Sequence, residues 1–225
     1  MSAAAAGRIM AEKEGCPVLT GNRQYDSMLA VARQRLARHD PADIARRAAV
    51  TFDGRRFTMT SLGQTVTVSY PDFQVSPALD MWHALPLLHY LDLADGTALS
   101  GRMMAFAQYP DGMVRGGGFD RRVESVIRQR LGLLPVEELR RRCLALGGEL
   151  VDSNADVCAC FRFLPRYPLW LRLWLADEEF PASGRLFPDE CAAHYLTVED
   201  AVTVGDLLLE LLCSGGSVIQ ERGGL

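Results

Sequence analysis

Five acids and one histidine, able to hold a cation or move a proton, fall between positions 177 and 194: Asp177, Glu178, Glu179, Asp189, Glu190 and His194. Oxygen ligands with one imidazole suit a divalent cation, and the same groups suit carboxylate–histidine catalysis. They flank a segment with the turn chemistry of Pro181-Ala182-Ser183-Gly184. Acids at a strand end also bind turn amides, so a structural reading stands beside the chemical one. The ligand-binding candidates are therefore Asp177, Glu179, His194 and Asp189, with Trp174 beside them. No catalytic residue, metal or cofactor is assigned.

Chemistry elsewhere is thinner. His83 and His89 lie six apart, on different sides of a regular helix, and make no ready metal pair. Six cysteines (Cys16, Cys143, Cys158, Cys160, Cys191 and Cys213) include no CxxC pair, so no zinc-ribbon or common iron–sulfur motif is written. In "VCACF", Cys158 and Cys160 share a strand face, where small buried thiols are the expected outcome. "VRGGGFDRR" places three glycines before a helix with Arg115, Arg121 and Arg122 close by, a weak anion cradle that reads better as a flexible turn. Lys13 is the only lysine, which leaves no P-loop or Schiff-base lysine elsewhere in the chain.

The elements that must position these groups can be read from periodicity. Helical spacing runs through "NRQYDSMLAVARQRLARHD", and Pro41 opens a second short helix. "RRFTMTSLGQTVTVSYPDF" alternates and breaks at Ser61-Leu62-Gly63, the pattern of a hairpin. "SPALDMWHALPLLHYLDLADG" predicts a helix capped by Ser76 and kinked or divided at Pro86. "GRMMAFAQY" predicts a strand and "PDGMVRGGG" a loop; "FDRRVESVIRQRLG" and "VEELRRRCLALGG" predict helices ended by glycine. Strands follow in "ADVCACFRF", "PLWLRLWL" and "GRLF", and Thr197 with Asp200 opens a last helix through Cys213. The fold class is α+β, with a mixed or antiparallel sheet and helices at both ends of the chain. The leucine and tryptophan parities of "LWLRLWL" predict a strand covered on both faces. It should end near Ala176, with the acids accepting backbone amides or pairing with arginine while Phe180 and Pro181 re-enter the core.

The 225 residues, 48% of them hydrophobic, suffice for one sizeable core. Residues 1–18 read as a disordered tail, 19–214 as a single α+β domain whose part 19–75 could form a subdomain, and 215–225 as a flexible tail. The formal charge of -4 argues against a general nucleic-acid binder. Its distribution is uneven: 10 basic and 7 acidic residues up to Gln74, but 4 basic and 10 acidic from Arg166 onward. No membrane span or secretion signal is evident, which predicts a cytoplasmic protein with reduced cysteines.

"LLHYL", the glycine and phenylalanine of "GRMMAF", "LGG", "LPRYPLWLRLWLADEEFPASGRLF" and "HYLTVEDA" together resemble an uncharacterised bacterial and archaeal domain family, catalogued as a domain of unknown function and found largely in anaerobes. The resemblance spans about Ala45 to Leu212. It implies a shared fold and no defined reaction. Relatives sometimes carry iron–sulfur-type cysteine clusters, which this chain lacks. The family pattern usually has an acid after the phenylalanine, where this chain reads Ala107-Gln108.

Three functions follow as expectations. The first is an accessory or binding protein of anaerobic metabolism that recognises a small ligand, cofactor or protein partner without turnover. The second is an enzyme using the "DEEF" acids with His194. The third is a subunit that pairs through its sheet or last helix, so self-association is compatible with the sequence. Convergence of Asp177, Glu179 and His194 would favour the second, and an apolar cleft the first.

Overall fold

The computed structural model describes residues 23–216. The expected tail of residues 1–18, with Lys13 and Cys16, and nearly all of 215–225 lie outside the described residues. The chain begins with helices α1 (Arg23–Leu36) and α2 (Pro41–Ala48). Asp40 caps α2 by accepting the Asp43 amide, and Pro41 occupies the first turn, where its missing N–H costs nothing. Strands β1 (Thr51–Phe52), β2 (Arg56–Ser61), β3 (Gln64–Ser69) and β4 (Val75–Ser76) form an antiparallel sheet in sequential order. Helix α3 (Met81–Leu93) follows, then α4 (Gly112–Gln129) and α5 (Val136–Ala145). A second antiparallel sheet contains β5 (Glu149–Leu150), β6 (Val157–Leu164), β7 (Tyr167–Trp174) and β8 (Ser183–Pro188), and α6 (Val198–Ser214) closes the described chain. The α+β class holds, built on two four-stranded sheets.

One hydrophobic cluster runs from Tyr25 on α1 to Leu212 on α6 and takes in both sheets. The sheets meet at the β2–β3 turn. Leu62 N donates to Arg162 O at 3.0 Å, and Ser61 Oγ donates to Phe163 O at 2.5 Å. Gly63, at φ +76°, lies so close to Gly147 that a Cβ on it would fall 2.9 Å from the Gly147 Cα. Only glycine fits there on both counts.

Several expectations are corrected. α3 is capped by Asp80, which accepts the Trp82 amide at 2.8 Å, while Ser76 belongs to β4. Pro86 does not divide α3: Leu85, Leu87, Leu88, Tyr90 and Leu91 are all buried, and packing on most sides outweighs one lost hydrogen bond. "GRMMAFAQY" contributes only an isolated bridge, Met103 to Asp189, and then a 3-10 turn, Phe106–Gln108. Gln108 Oε1 accepts the Ala105 amide at 2.7 Å, a bond an acid there would also make.

The glycines expected to form a loop are helical. α4 runs through Gly116, Gly117 and Gly118 because a Cβ at Gly116 would lie 2.1 Å from Phe106 O, and one at Gly112 2.6 Å from the same atom. The glycines let the helix pack directly on the preceding backbone. The helix ends at Gln129 rather than at Gly132, which sits in a 3-10 turn, Leu131–Leu133, against Ala182.

Nor is β7 covered on both faces. Leu169, Leu171 and Leu173 are fully buried, but Trp170, Arg172 and Trp174 are only partly so. Phe180 does not re-enter the core; it is 66% exposed.

Candidate functional site

The acids and the histidine that lie close in sequence are separated by the β7–β8 hairpin. β7 pairs Trp174 with Ser183 at one end and Leu169 with Pro188 at the other. Asp177 and Glu179 leave from the first end, Asp189 and His194 from the second, so roughly 17 Å of strand lies between them. Convergence does not occur.

Each has a local role. Asp177 Oδ1 accepts the Glu179 and Phe180 amides at 2.9 and 2.7 Å, which shapes the turn and lowers its pKa. The Glu179 side chain is exposed and meets no described partner, so it neither accepts a backbone amide nor pairs with an arginine as expected. Trp174 Nε1 donates to Asn154 O at 3.0 Å, and the Arg172 guanidinium lies 5.2 Å from its ring centre. Asp189 is 1% exposed and accepts the Ser100, Gly101 and Cys191 amides at 3.0, 2.8 and 2.9 Å. Burial opposes its charge, but these donors outweigh it and hold its pKa below the ordinary value. His194 Nδ1 lies 2.7 Å from Asp95 Oδ2. Burial works against the Asp95 charge, yet hydrogen bonds from Thr97 and His194 hold its pKa at about 2. Asp189 and His194 thus pin the segment joining α3 to α4.

The cysteines of β6 are buried and pair across to β7, with Cys160 opposite Trp170 and Cys158 opposite Arg172. Burial pushes the Cys160 thiol up to about 11, which keeps it protonated at neutral pH. Among the described residues no group of three or more His, Cys, Asp and Glu side chains is placed to hold a metal ion.

Ser61 and His83 form a serine–histidine pair with Oγ to Nε2 at 2.7 Å, but its polarity is wrong for nucleophilic catalysis. Ser61 spends its proton on Phe163 O, so His83 Nε2 must be the donor. Both residues are buried, at 0 and 1% exposure.

A groove open to solvent lies between the N-terminal turn of α3 and the outer side of α6. Its volume is about 430 Å³, and Asp80, Trp82, Thr203, Asp206, Leu207 and Glu210 line it. An adjoining hollow of about 310 Å³ shares Trp82 and Thr203 and adds Met28, Leu85, Pro86, Arg115, Glu199 and Asp200. The local sequence explains the wall. Capping by Asp80 fixes Trp82 in the first turn, where its ring meets Tyr25 edge-on with 6.4 Å between centres and remains 50% exposed. α4 and α6 run in parallel beside it, joined by Arg115–Glu199, Arg122–Asp206 and Arg130–Glu210 at 2.8, 2.5 and 3.2 Å. Arg115 and Arg122, two of the three arginines beside the glycines, belong to an ion-pair ladder rather than an anion cradle. Asp206 is partly buried in the groove, and its desolvation raises its pKa against the pull of Arg122 and Arg115.

At the floor, Asp200 accepts from Thr197 Oγ1 at 2.8 Å and lies 2.7 Å from His89 Nδ1. This chain ties the middle of α3 to the first turn of α6 and turns His89 Nε2 away from Asp200. The sequence reading gave Asp200 only its helix-end role and passed over Trp82 altogether. The detectable signal is the equal seven-residue spacing of Arg115 and Arg122 on α4 and of Glu199 and Asp206 on α6, a match that needs the helix pairing to be known.

Residues 40–210 match the model of a family described as Domain of unknown function (DUF3786). No curated protein and no solved structure gives a significant match. No helix among the described residues is long and apolar enough to cross a membrane.

Proposed function

The chain belongs to that family, whose description assigns no activity, and on that premise we propose that it binds a small ligand in the α3–α6 groove without chemical turnover. The observation that carries this reading is the groove of about 430 Å³ with a half-exposed tryptophan on its wall and carboxylates at its rim. That volume falls in the usual range for small-molecule sites. The indole face suits an apolar or aromatic body by stacking and also favours a cation, and Asp80 adds a carboxylate beside it, whereas Asp206 and Glu210 are already paired with Arg122 and Arg130. The ligand class is therefore an amine or other small cation with an apolar body. An accessory role in anaerobic metabolism rests on the family resemblance alone.

The test uses three probes with one aromatic body: phenethylamine, phenethyl alcohol and 3-phenylpropanoate. Melting-temperature shifts should rank amine above alcohol above carboxylate, and Trp82→Ala should abolish them. Phenethylamine should be recovered chemically unchanged. Equal shifts for all three probes, or shifts that survive Trp82→Ala, would refute the site.

A further inference from the structure

The sheet β5–β8 buries one side; on the other, Cys158 and Cys160 of β6 are covered while the β7 and β8 side chains are partly open. On the open side Trp170 pairs across with Phe187 and Arg172 with Arg185, while Trp174 pairs with Ser183 near the acidic turn. The aromatic residues there are partly exposed and Arg185 is exposed, whereas the leucines of the opposite parity are fully buried.

Its charges are incompletely matched within one chain. Arg185 makes no hydrogen bond or ion pair with a described residue. Arg172 reaches neutral Asn154, and its Nε is buried without a hydrogen-bond partner. Beyond the other side of Trp174, the exposed Glu178 and Glu179 also meet no described partner, and Phe180 stands 66% exposed next to them. Aromatic and arginine side chains are the ones enriched at interface centres, and a surface that carries both unmatched signs complements itself.

We propose that two copies of the chain pair through this face, about a twofold axis that lies in the face, runs across the strands and passes near Trp174. A half-turn about that axis must make the contact self-complementary. The Arg172–Arg185 row lies roughly 7 Å to one side of Trp174, by strand spacing, and the acidic turn lies on the other. The rotation therefore sets the arginines of each copy over Glu178 and Glu179 of the second. Unmatched cations meet unmatched acids twice, around a centre of tryptophan. Overlap covers only the Trp174 half of the sheet and the turn beyond it, a modest footprint, so association is reversible and concentration-dependent.

Sedimentation velocity of the full chain from about 1 to about 300 µM, a span of roughly 3 kcal/mol in association free energy, reads the equilibrium. The wild type should shift from monomer to dimer across that range. Arg185→Glu alone and the double variant Glu178→Arg/Glu179→Arg alone should each remain monomeric, with wild-type melting temperatures because none of these side chains is buried. Mixed one to one, the two variants should dimerise, since each now supplies the sign the other lost. A wild type that stays monomeric overturns the proposal. Variants that dimerise like the wild type, or a mixture that stays monomeric, overturn it equally.

Discussion

Burial holds His83 neutral and lowers its pKa to about 4, against an ordinary value of 6.5. The unfolded chain takes up this proton near pH 6.5 and the folded chain does not until about pH 4. The folded state's advantage is therefore complete above pH 6.5 and falls as the pH drops towards 4. At up to about 1.4 kcal/mol per pH unit for one proton, the loss is on the order of 3 kcal/mol. Denaturant unfolding across that window should show it, and a His83→Asn variant should show a correspondingly flatter slope. Ser61→Ala tests the same pair from the other side. It leaves Phe163 O without its hydroxyl donor and His83 without its acceptor, which should cost about 1–3 kcal/mol. In the acidic turn, Asp177→Ala should lower the melting temperature because two amides lose their acceptor, while Glu179→Gln should leave it unchanged. If the second variant proved the more damaging, the assignment of roles in that turn would be reversed.

The glycines of α4 separate packing from propensity within one helix. Gly118 has open space around its Cβ position, so Gly118→Ala should stabilise by up to about 1 kcal/mol through helix propensity. Gly116→Ala must push against Phe106 O from 2.1 Å and should destabilise by about 1–3 kcal/mol or more. Equilibrium unfolding of the two variants distinguishes them by sign. The same helix shows why parts of the chain could be read and others could not. α1, α2, α5, β6, β7, β8 and α6 carry their own period, and the caps Asp40 and Thr197 and the first-turn Pro41 sit where local chemistry puts them. "PDGMVRGGG" reads as a loop because the benefit of its glycines, close approach to the Phe106 backbone, is a long-range property absent from local pattern. β7 misled in the opposite direction. Trp170 and Trp174 look apolar enough for their side to be covered despite Arg172 between them, but only the leucine parity is packed against the core.

At the scale of the whole molecule, sequence proximity and spatial proximity diverge. Asp177 and His194 are near along the chain and at opposite ends of a hairpin, whereas Trp82 and Asp206, far apart in sequence, share a groove. The candidate site was therefore the least legible part of the sequence. Its wall is made by packing α3 on α6 and by the ladder from α4, none of which is encoded within one segment. The central claim is that Trp82 contacts a cationic ligand. A chain carrying Trp170→Phe and Trp174→Phe keeps Trp82 as the only tryptophan, so its fluorescence reports the groove alone. Titration with phenethylamine should change that emission saturably, and 3-phenylpropanoate at the same concentrations should not. An emission that does not respond to the amine, or responds equally to the carboxylate, would contradict the account.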